Sequence, residues 1–236
     1  MTVTKCCSIW IRLYPSRRVT TLQLLLPDGA ALWSGNPLNQ LGMQHHRPTT
    51  GLTLLPTWSN LTKMNIFATD KNPVIAARNL CDKHINKMIV ESAQMLANAF
   101  PLERLAEDDC PRSQKGQPRT HGYPKHPCTL WSYETTDNFE WLCAHALEMG
   151  SERRYRWSDR PRHFSLNFIA WCYENIKDSM AKIGERTDFA IAISDTMNCR
   201  KIEGFDNLSS VEKYRLYYKH DKPFVKWTKR RQPVWF

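Results

Sequence analysis

The chain has 236 residues, of which 42% are hydrophobic and 11% aromatic, enough for a folded core and for one or two domains. This composition excludes wholesale disorder, and no apolar run approaches the roughly 18 residues that a membrane helix needs. With 33 Lys and Arg residues against 23 Asp and Glu residues, the net charge is +10. Such an excess favours an anionic partner, most often nucleic acid, although a basic surface that binds nothing is the alternative.

The eight cysteines form no CxxC pair and no metal-ligand spacing, so we expect no metal site. Cys81, Cys143 and Cys172 lie in apolar, helical contexts, where a reduced and buried thiol is the default. Cysteine usage therefore predicts a reducing, cytoplasmic environment.

Residues 1–63 differ in composition from the rest of the chain. They contain six Lys or Arg residues and one acid, are rich in Thr, Leu, Pro and Ser, and show no sustained helical or strand period. Presequences share this composition, but no clean amphipathic helix is present. We predict that translation starts at Met64 and that residues 1–63 are a mis-called start, and the alternative is a poorly structured extension. Residues 64–236 are predicted to form one domain.

The pattern becomes helical beyond Met64. Asp70 to Pro73 is typical of a helix start, with Asp70 as the candidate cap and Pro73 in the first turn. Apolar residues spaced three and four apart then predict one helix as far as about Phe100, and Pro101 closes it. Residues 103–127 are polar and contain Pro and Gly, which predicts a loop.

The second half of the domain also favours helices. We predict one helix from about Cys128 to Tyr155 and another from about Pro161 to Ile183. The segment FAIAI at residues 189–193 is either a short buried strand or an extended segment laid on the helices. An SxxE capping box opens a last helix at residues 209–219. The predicted fold class is all-α, a mainly helical single domain with an irregular N-terminal extension.

The segment from Asp82 to Glu91 is the most informative part of the first helix. His84 and Glu91 are seven residues apart and therefore share a helix face, with Lys87 between them. A carboxylate on such a half-buried face can have a raised pKa and serve as an acid or a base. The alternative is an ordinary i,i+4 ion pair between Lys87 and Glu91 beside a boundary histidine.

Three stretches mix cations with aromatic residues, as expected where phosphates are held and bases are stacked. For the arginine cluster at residues 153–162 we favour phosphate contact, because neighbouring cations repel one another unless an anion arrives. For Trp227 and Trp235 in the basic tail we favour packing. Tyr123 is the candidate for holding a flipped base or filling its gap. The candidate DNA contacts are Lys83, Lys87, His121, Tyr123, Lys125, His126, Arg153, Arg154, Arg156, Arg160, Arg162, Lys229 and Arg230.

Several motifs carry a resemblance to a known family. The run D-K-H-I-x5-E at residues 82–91 resembles the catalytic helix of the phage pyrimidine-dimer DNA glycosylases (endonuclease V), which has D-x-H-L and a Glu seven residues after the His. HGYPKHP at residues 121–127 is similar to the GYKNHP motif of bacterial members. Residues 189–194 and 214–219 loosely resemble the family's C-terminal half. The MNIF opening at Met64, the CDKH motif and the KW-x5-P-x-WF ending also resemble a group of phage proteins.

The resemblance implies a small all-helical enzyme that needs no metal or cofactor. In that family a terminal amine attacks the sugar C1′ and forms a Schiff base, and a Glu supports elimination, so a lesion-specific glycosylase is also an abasic-site lyase. Glu91 falls on that Glu, His84 on the DNA-contacting His, and Met64 or Asn65 on the amine. We expect DNA, double-stranded rather than single-stranded, as the partner of a monomer in the cytoplasm of a phage-infected bacterium.

Three features depart from the family pattern. An internal residue has no free α-amine, so amine catalysis of this kind requires a chain that starts at Met64. Asn65 is bulkier than the family's Thr, so we expect Met64 to be retained and to supply the amine itself. Lys83 or Lys87 could substitute, although a lysine titrates near ~10.4 unless it is desolvated. Val90 stands where the family has an Arg that contacts phosphate.

Two other functions remain open at this point. One is a transferase that hypermodifies phage DNA bases on the same scaffold, which would keep a flipping pocket without a terminal amine. The other is a non-catalytic DNA-binding protein, whose signature would be the salt dependence of binding alone.

Overall fold

The computed structural model describes residues 64–236, and in that range the chain is helical without a β-strand. The predicted all-α fold is therefore confirmed, whereas the predictions for residues 1–63 lie outside the described residues. None of the described helices is long and apolar enough to cross a membrane. The α-helices are α1 (Pro73–Asn79), α2 (Asp82–Ala97), α3 (Leu102–Ala106), α4 (Pro127–Ser132), α5 (Thr136–Arg156), α6 (Ser165–Glu174) and α7 (Ser210–Asp221), with 3-10 turns at Ile176–Asp178, Asn198–Lys201 and Phe205–Asn207.

Helices α2 and α5 pack against each other at the centre, with α1 against α5 and α6 against both. The apolar stripe of α2 supplies the buried face, as its spacing predicts. Gly150 lets α6 approach α5 closely, since a Cβ there would lie 2.6 Å from Leu166 Cδ1. Cys81, Cys143 and Cys172 are free and buried in this core, as expected from their contexts.

The single helix predicted up to Phe100 is wrong, because the chain leaves helical geometry at Leu80 and Cys81. Their ψ angles are 139° and 163°, which separates α1 from α2. Distant side chains satisfy the freed backbone groups: Arg156 Nη1 donates to Leu80 O at 2.8 Å, and Cys81 N donates to Tyr218 Oη at 3.3 Å. Asn72, rather than Asp70, caps α1.

Two further helix predictions need correction. The helix expected from Cys128 to Tyr155 is interrupted after Ser132, and α5 restarts behind Thr135, whose hydroxyl accepts from Asn138 N at 3.2 Å. The helix expected up to Ile183 ends at Glu174 and gives way to a 3-10 turn.

The C-terminal predictions hold. The segment at residues 189–193 is extended without forming a strand, and α7 opens with the predicted capping box of Ser209 and Glu212. Trp227 and Trp235 are partly buried against the core, which confirms packing. The backbone oxygen of Lys226 accepts from Asp82 N at 2.8 Å, so the tail is attached to the first turn of α2.

Candidate active site

Helix α2 places His84, Lys87 and Glu91 on one side, as their spacing predicts. His84 and Glu91 are buried, whereas 57% of the Lys87 side chain is exposed. The face therefore runs from solvent at Lys87 into the protein at the two other groups.

The Glu91 carboxylate contacts two nitrogens. Its Oε2 accepts from the backbone N of Asn65 at 3.0 Å, and its Oε1 lies 3.0 Å from Lys87 Nζ. Burial raises the pKa of Glu91, while Lys87 and the Asn65 N–H act in the opposite direction. A carboxyl group with a raised pKa is better suited to exchange protons with a neighbouring amine.

Of the two residues proposed for the amine, Asn65 has its backbone nitrogen against Glu91, while the side chain of Met64 is buried in the core. The Asn65 side chain is held on both sides, because Nδ2 donates to Ala192 O at 2.9 Å and Oδ1 accepts from Phe67 N at 2.8 Å. Phe67 has a φ of 42°, a left-handed conformation that costs energy for a residue with a Cβ. These contacts fix the Asn65 nitrogen beside Glu91.

His84 is a neutral histidine at the same site. Its ring stacks on Phe67 with centroids 4.3 Å apart, and its Nδ1 is hydrogen-bonded to the Tyr218 hydroxyl. Burial, followed by the charges of Lys222, Lys87 and Lys83, lowers the pKa of His84 to about 3. Because Cys81 N already donates to the Tyr218 oxygen, the hydroxyl proton can point to Nδ1, which leaves the imidazole proton on Nε2.

A cavity of about 200 Å³ lies beside these groups. Among the residues that the structure describes, its lining combines three lysines with aromatic rings and contains no acid, so it suits a ligand with a negative charge and a planar group. The lining residues are Asn65, Phe67, Lys83, His84, Lys87, Tyr217, Lys222 and Phe224.

Three members of the site come from the end of α7 and were missed by the sequence analysis: Tyr217, Tyr218 and Lys222. The motif at residues 214–219 indicated the helix but gave no sign of which side chains reach α2. Lys222 Nζ donates to Tyr217 Oη at 2.7 Å. Burial lowers the pKa of Lys222 and Lys87 adds to this effect, while Asp221 opposes it.

The loop that contains HGYPKHP lies against the C-terminal half of α2. Asn98 Nδ2 donates to Gly122 O at 3.0 Å, and a Cβ at Gly122 would lie 3.8 Å from Gln94 Cβ. Tyr123 is 43% exposed and has a left-handed φ of 52°. Lys125 is exposed, and His121 Nε2 lies 2.8 Å from Phe100 O.

The arginine cluster at the end of α5 is joined to α2 through Arg153. Its Nε donates to Asn86 Oδ1 at 2.7 Å. Arg154 and Arg162 are exposed, and the guanidinium of Arg160 lies 4.6 Å from the centroid of the Trp157 ring. These four arginines are placed where a phosphate can reach them.

Two predicted DNA contacts are wrong, because the side chains are buried for structural reasons. The Arg156 side chain is 0% exposed and pairs with Glu152 at 3.2 Å and Asp82 at 3.0 Å. His126 is buried and caps α4, its Nδ1 accepting from Cys128 N at 3.2 Å.

The two tail cations differ in their environments. Arg230 is ion-paired with Glu152, its Nε lying 3.0 Å from Oε2, so it is already neutralised. Lys229 is exposed, and its Nζ donates to Tyr155 O at 3.3 Å.

Comparison with known proteins finds one family to which part of the chain is similar. Residues 64–164 match the family model for pyrimidine dimer DNA glycosylase. The resemblance to that family is confirmed over this range. No curated protein matches the chain, and neither does any solved structure.

The matched range contains Asn65, His84 and Glu91, the loop at residues 121–127 and the arginines of α5. It therefore supports a glycosylase-like function on DNA. Tyr217, Lys222 and Phe224 line the cavity and lie outside the matched range, so the family match does not cover these residues.

Proposed function

We propose that the protein is a base-excision enzyme, a pyrimidine-lesion DNA glycosylase with abasic-site lyase activity, in which an amine attacks the sugar and Glu91 moves the protons. The observation that carries this proposal is the contact of 3.0 Å between the Asn65 backbone nitrogen and Glu91 Oε2. In a chain that starts at Met64 and then loses this residue, contrary to the expectation that Met64 is retained, the α-amine of Asn65 would occupy the place of this nitrogen. Since such amines titrate near ~8, a useful fraction would be neutral at physiological pH.

Glu91 has two tasks in this chemistry. As a carboxylate it stabilises the cationic imine formed when an amine is joined to C1′. Its raised pKa then allows it to take and return the protons of ring opening and elimination. The neutral His84, held by Tyr218, adds a hydrogen-bonding group to the cavity without adding charge.

The DNA surface that we propose follows the exposed stripe of α2. Lys83, Lys87, Val90 and Gln94 are exposed at helical spacing. Arg153 joins the stripe at Asn86, and the loop carrying Tyr123 joins it through Gly122. Phosphates on both sides of a lesion would thus meet cations, with the cavity between them.

A base inside a duplex has to leave the stack before its sugar can be attacked. The lysines of the cavity supply contacts for the phosphates of the extruded nucleotide, and the exposed Tyr123 is available to fill the gap. Double-stranded DNA, a monomeric enzyme and a phage-infected host cytoplasm remain parts of this proposal.

The test is the Glu91→Gln variant, assayed on duplexes with a thymine dimer or an abasic site. Glutamine can still accept from Asn65 N but cannot shuttle protons, so we expect strand cleavage to fall about 100-fold or more while duplex binding persists. Glu140→Gln, at an exposed position of α5, is the matched control and should retain activity. The assay should include the full chain and a form that starts at Met64.

A catalytically silent wild-type protein that binds duplexes would contradict this proposal and favour the non-catalytic alternative. Altered nucleosides in co-expressed DNA, found by mass spectrometry without base release, would favour the transferase.

A further inference from the structure

The backbone nitrogen of Asn65 is an amide in the chain as it stands. Its lone pair is delocalised into the preceding carbonyl, so it cannot attack a sugar. Wherever residues precede Asn65, a side-chain amine at the cavity is the candidate nucleophile for the proposed function. Three lysines line the cavity, and their surroundings differ.

Lys83 and Lys87 are poorly suited to the task. Lys87 is ion-paired with Glu91 at 3.0 Å, which favours its protonated form, and most of its side chain is exposed. Lys83 is exposed, and its ammonium lies 4.5 Å from the centroid of the Phe224 ring, a cation–π contact that also favours the charged form.

Lys222 occupies the more enclosed position. It is half-buried at the C-terminal end of α7, immediately before Pro223, and its Nζ lies 5.8 Å from the ring centroid of Phe67, the residue that stacks on His84. We propose that Lys222 is the amine nucleophile of this chain and that its substrate is the C1′ of a deoxyribose extruded into the cavity. This inference rests on the proposed function.

The charges around Lys222 support this role. Burial lowers its pKa, and Lys87 across the cavity adds to the effect, which is how enzymes activate lysine nucleophiles. Asp221 opposes it, but both its carboxylate oxygens accept backbone hydrogen bonds, from Asn198 N at 2.7 Å and Cys199 N at 2.9 Å. The centroid of the Tyr217 ring lies 3.9 Å from Nζ, a contact that also favours the charged form.

The reaction balances without another reactant. The neutral Nζ of Lys222 bonds to C1′, the C1′–N bond to the base breaks, and its electron pair leaves with the base, which takes a proton. The nitrogen gives up its extra proton, the C1′–O4′ bond opens with its electrons going to O4′, and O4′ is protonated. The nitrogen lone pair forms the C=N bond of the protonated imine as the C1′–O4′ bond opens.

The experiment traps this imine in the full chain. A duplex with one abasic site, whose C1′ is an aldehyde, is incubated with the protein and borohydride, which reduces the C=N bond to a stable amine. Peptide mass spectrometry of the wild-type adduct should map the DNA to Lys222. Lys222→Arg keeps the positive charge without a nucleophilic amine and should lower the adduct yield about 100-fold, whereas Lys219→Arg, at an exposed position of α7, should stay within about 2-fold.

Mapping needs no variant, so a misfolded Lys222→Arg protein would not obscure the answer. An adduct on the chain's α-amine or on another lysine would overturn the role of Lys222 and leave the proposed function standing. Base release from a thymine-dimer duplex without any adduct would overturn amine catalysis at Lys222 but keep a glycosylase. Neither adduct nor base release would overturn both proposals.

Discussion

Two clusters of charged groups flank α2, and they are built on opposite principles. The ion network consists of Asp82, Glu152, Arg156 and Arg230, in which each guanidinium meets a carboxylate and the backbone takes up further donors. The cavity cluster consists of Lys83, His84, Lys87 and Lys222, and no acid lines the cavity beside it. The charges of the ion network neutralise one another within the protein, whereas the cavity cluster has an excess of positive charge that an anionic ligand could neutralise.

The difference shows that charge in a sequence does not reveal its use. Arg156 and Lys222 are both cations withdrawn from bulk water. One connects α5 to the break between α1 and α2, and the other faces a space that a ligand can enter. A buried cation whose hydrogen bonds are all made within the protein indicates a structural role, and a cation beside a cavity is a candidate for ligand binding or catalysis.

Removing Arg156 should have the largest effect on stability. Arg156→Met removes the buried cation between Asp82 and Glu152, which leaves Glu152 with the partly exposed Arg230 and Asp82 with Thr228, so the free energy of unfolding should fall by about 3–5 kcal/mol. Arg154→Met, two residues away and exposed, should change it by less than about 0.5 kcal/mol. Urea unfolding measures both variants, and a similar small loss in each would show that the ion network does not hold the fold together.

Acid should destabilise the protein through two buried histidines, one beside the cavity and one in the hydrophobic core. His84 faces the cavity, while His145 is enclosed in the core and stacks on Trp141. Burial is the main cause in both, and it lowers the pKa of each to about 3, below the ordinary histidine value of 6.5. Between these two pH values both histidines bind protons in the unfolded chain but not in the folded one. The free energy of unfolding therefore falls as the pH drops from 6.5 towards 3.

Each histidine should contribute up to about 1.4 kcal/mol per pH unit to this loss. His84→Gln should remove the part that comes from the cavity and leave the part that comes from His145. Urea unfolding of both proteins between pH 6 and pH 4 checks the difference in slope. Equal slopes would mean that His84 is as free to protonate in the folded protein as in the unfolded one.

The smallest expected effect is on the salt dependence of duplex binding, which should change when a cation of the cavity cluster is removed but not when one of the ion network is removed. Lys83→Gln should weaken duplex binding and reduce the slope of log affinity against log salt by about 0.9, because one phosphate contact is lost. Arg230→Gln should leave that slope unchanged, because Arg230 is already paired with Glu152. Fluorescence anisotropy at several salt concentrations gives both slopes, and a reduced slope for Arg230→Gln would place the tail on DNA.

The sequence predicts those parts of the fold that depend on local pattern. The apolar stripe of α2, the capping box of α7 and the shared face of His84 and Glu91 all follow from helical spacing. The break at Leu80 and Cys81 does not follow from local pattern, because no residue nearby in the sequence satisfies the backbone groups that it frees. Arg156 and Tyr218, far along the chain, satisfy its backbone groups.

The candidate site divides in the same way. Glu91 and Asn65 could be proposed from a motif and a resemblance, but Lys222 could not, since the approach of α7 to α2 brings it to the cavity. Arg156 was misassigned for a related reason. An arginine among other arginines looks exposed in the sequence, and its burial depends on Asp82 from another helix.

The cavity joins Asn65, near the start of the described chain, to Lys222 and Phe224, near its end. A ribosome makes a protein from its N-terminus, so Asn65 and Glu91 emerge long before the residues that enclose them. The growing polypeptide has no finished cavity while most of its helices are already made. A product cut short before Lys222 would carry the whole family-matched segment and still lack one wall of the cavity.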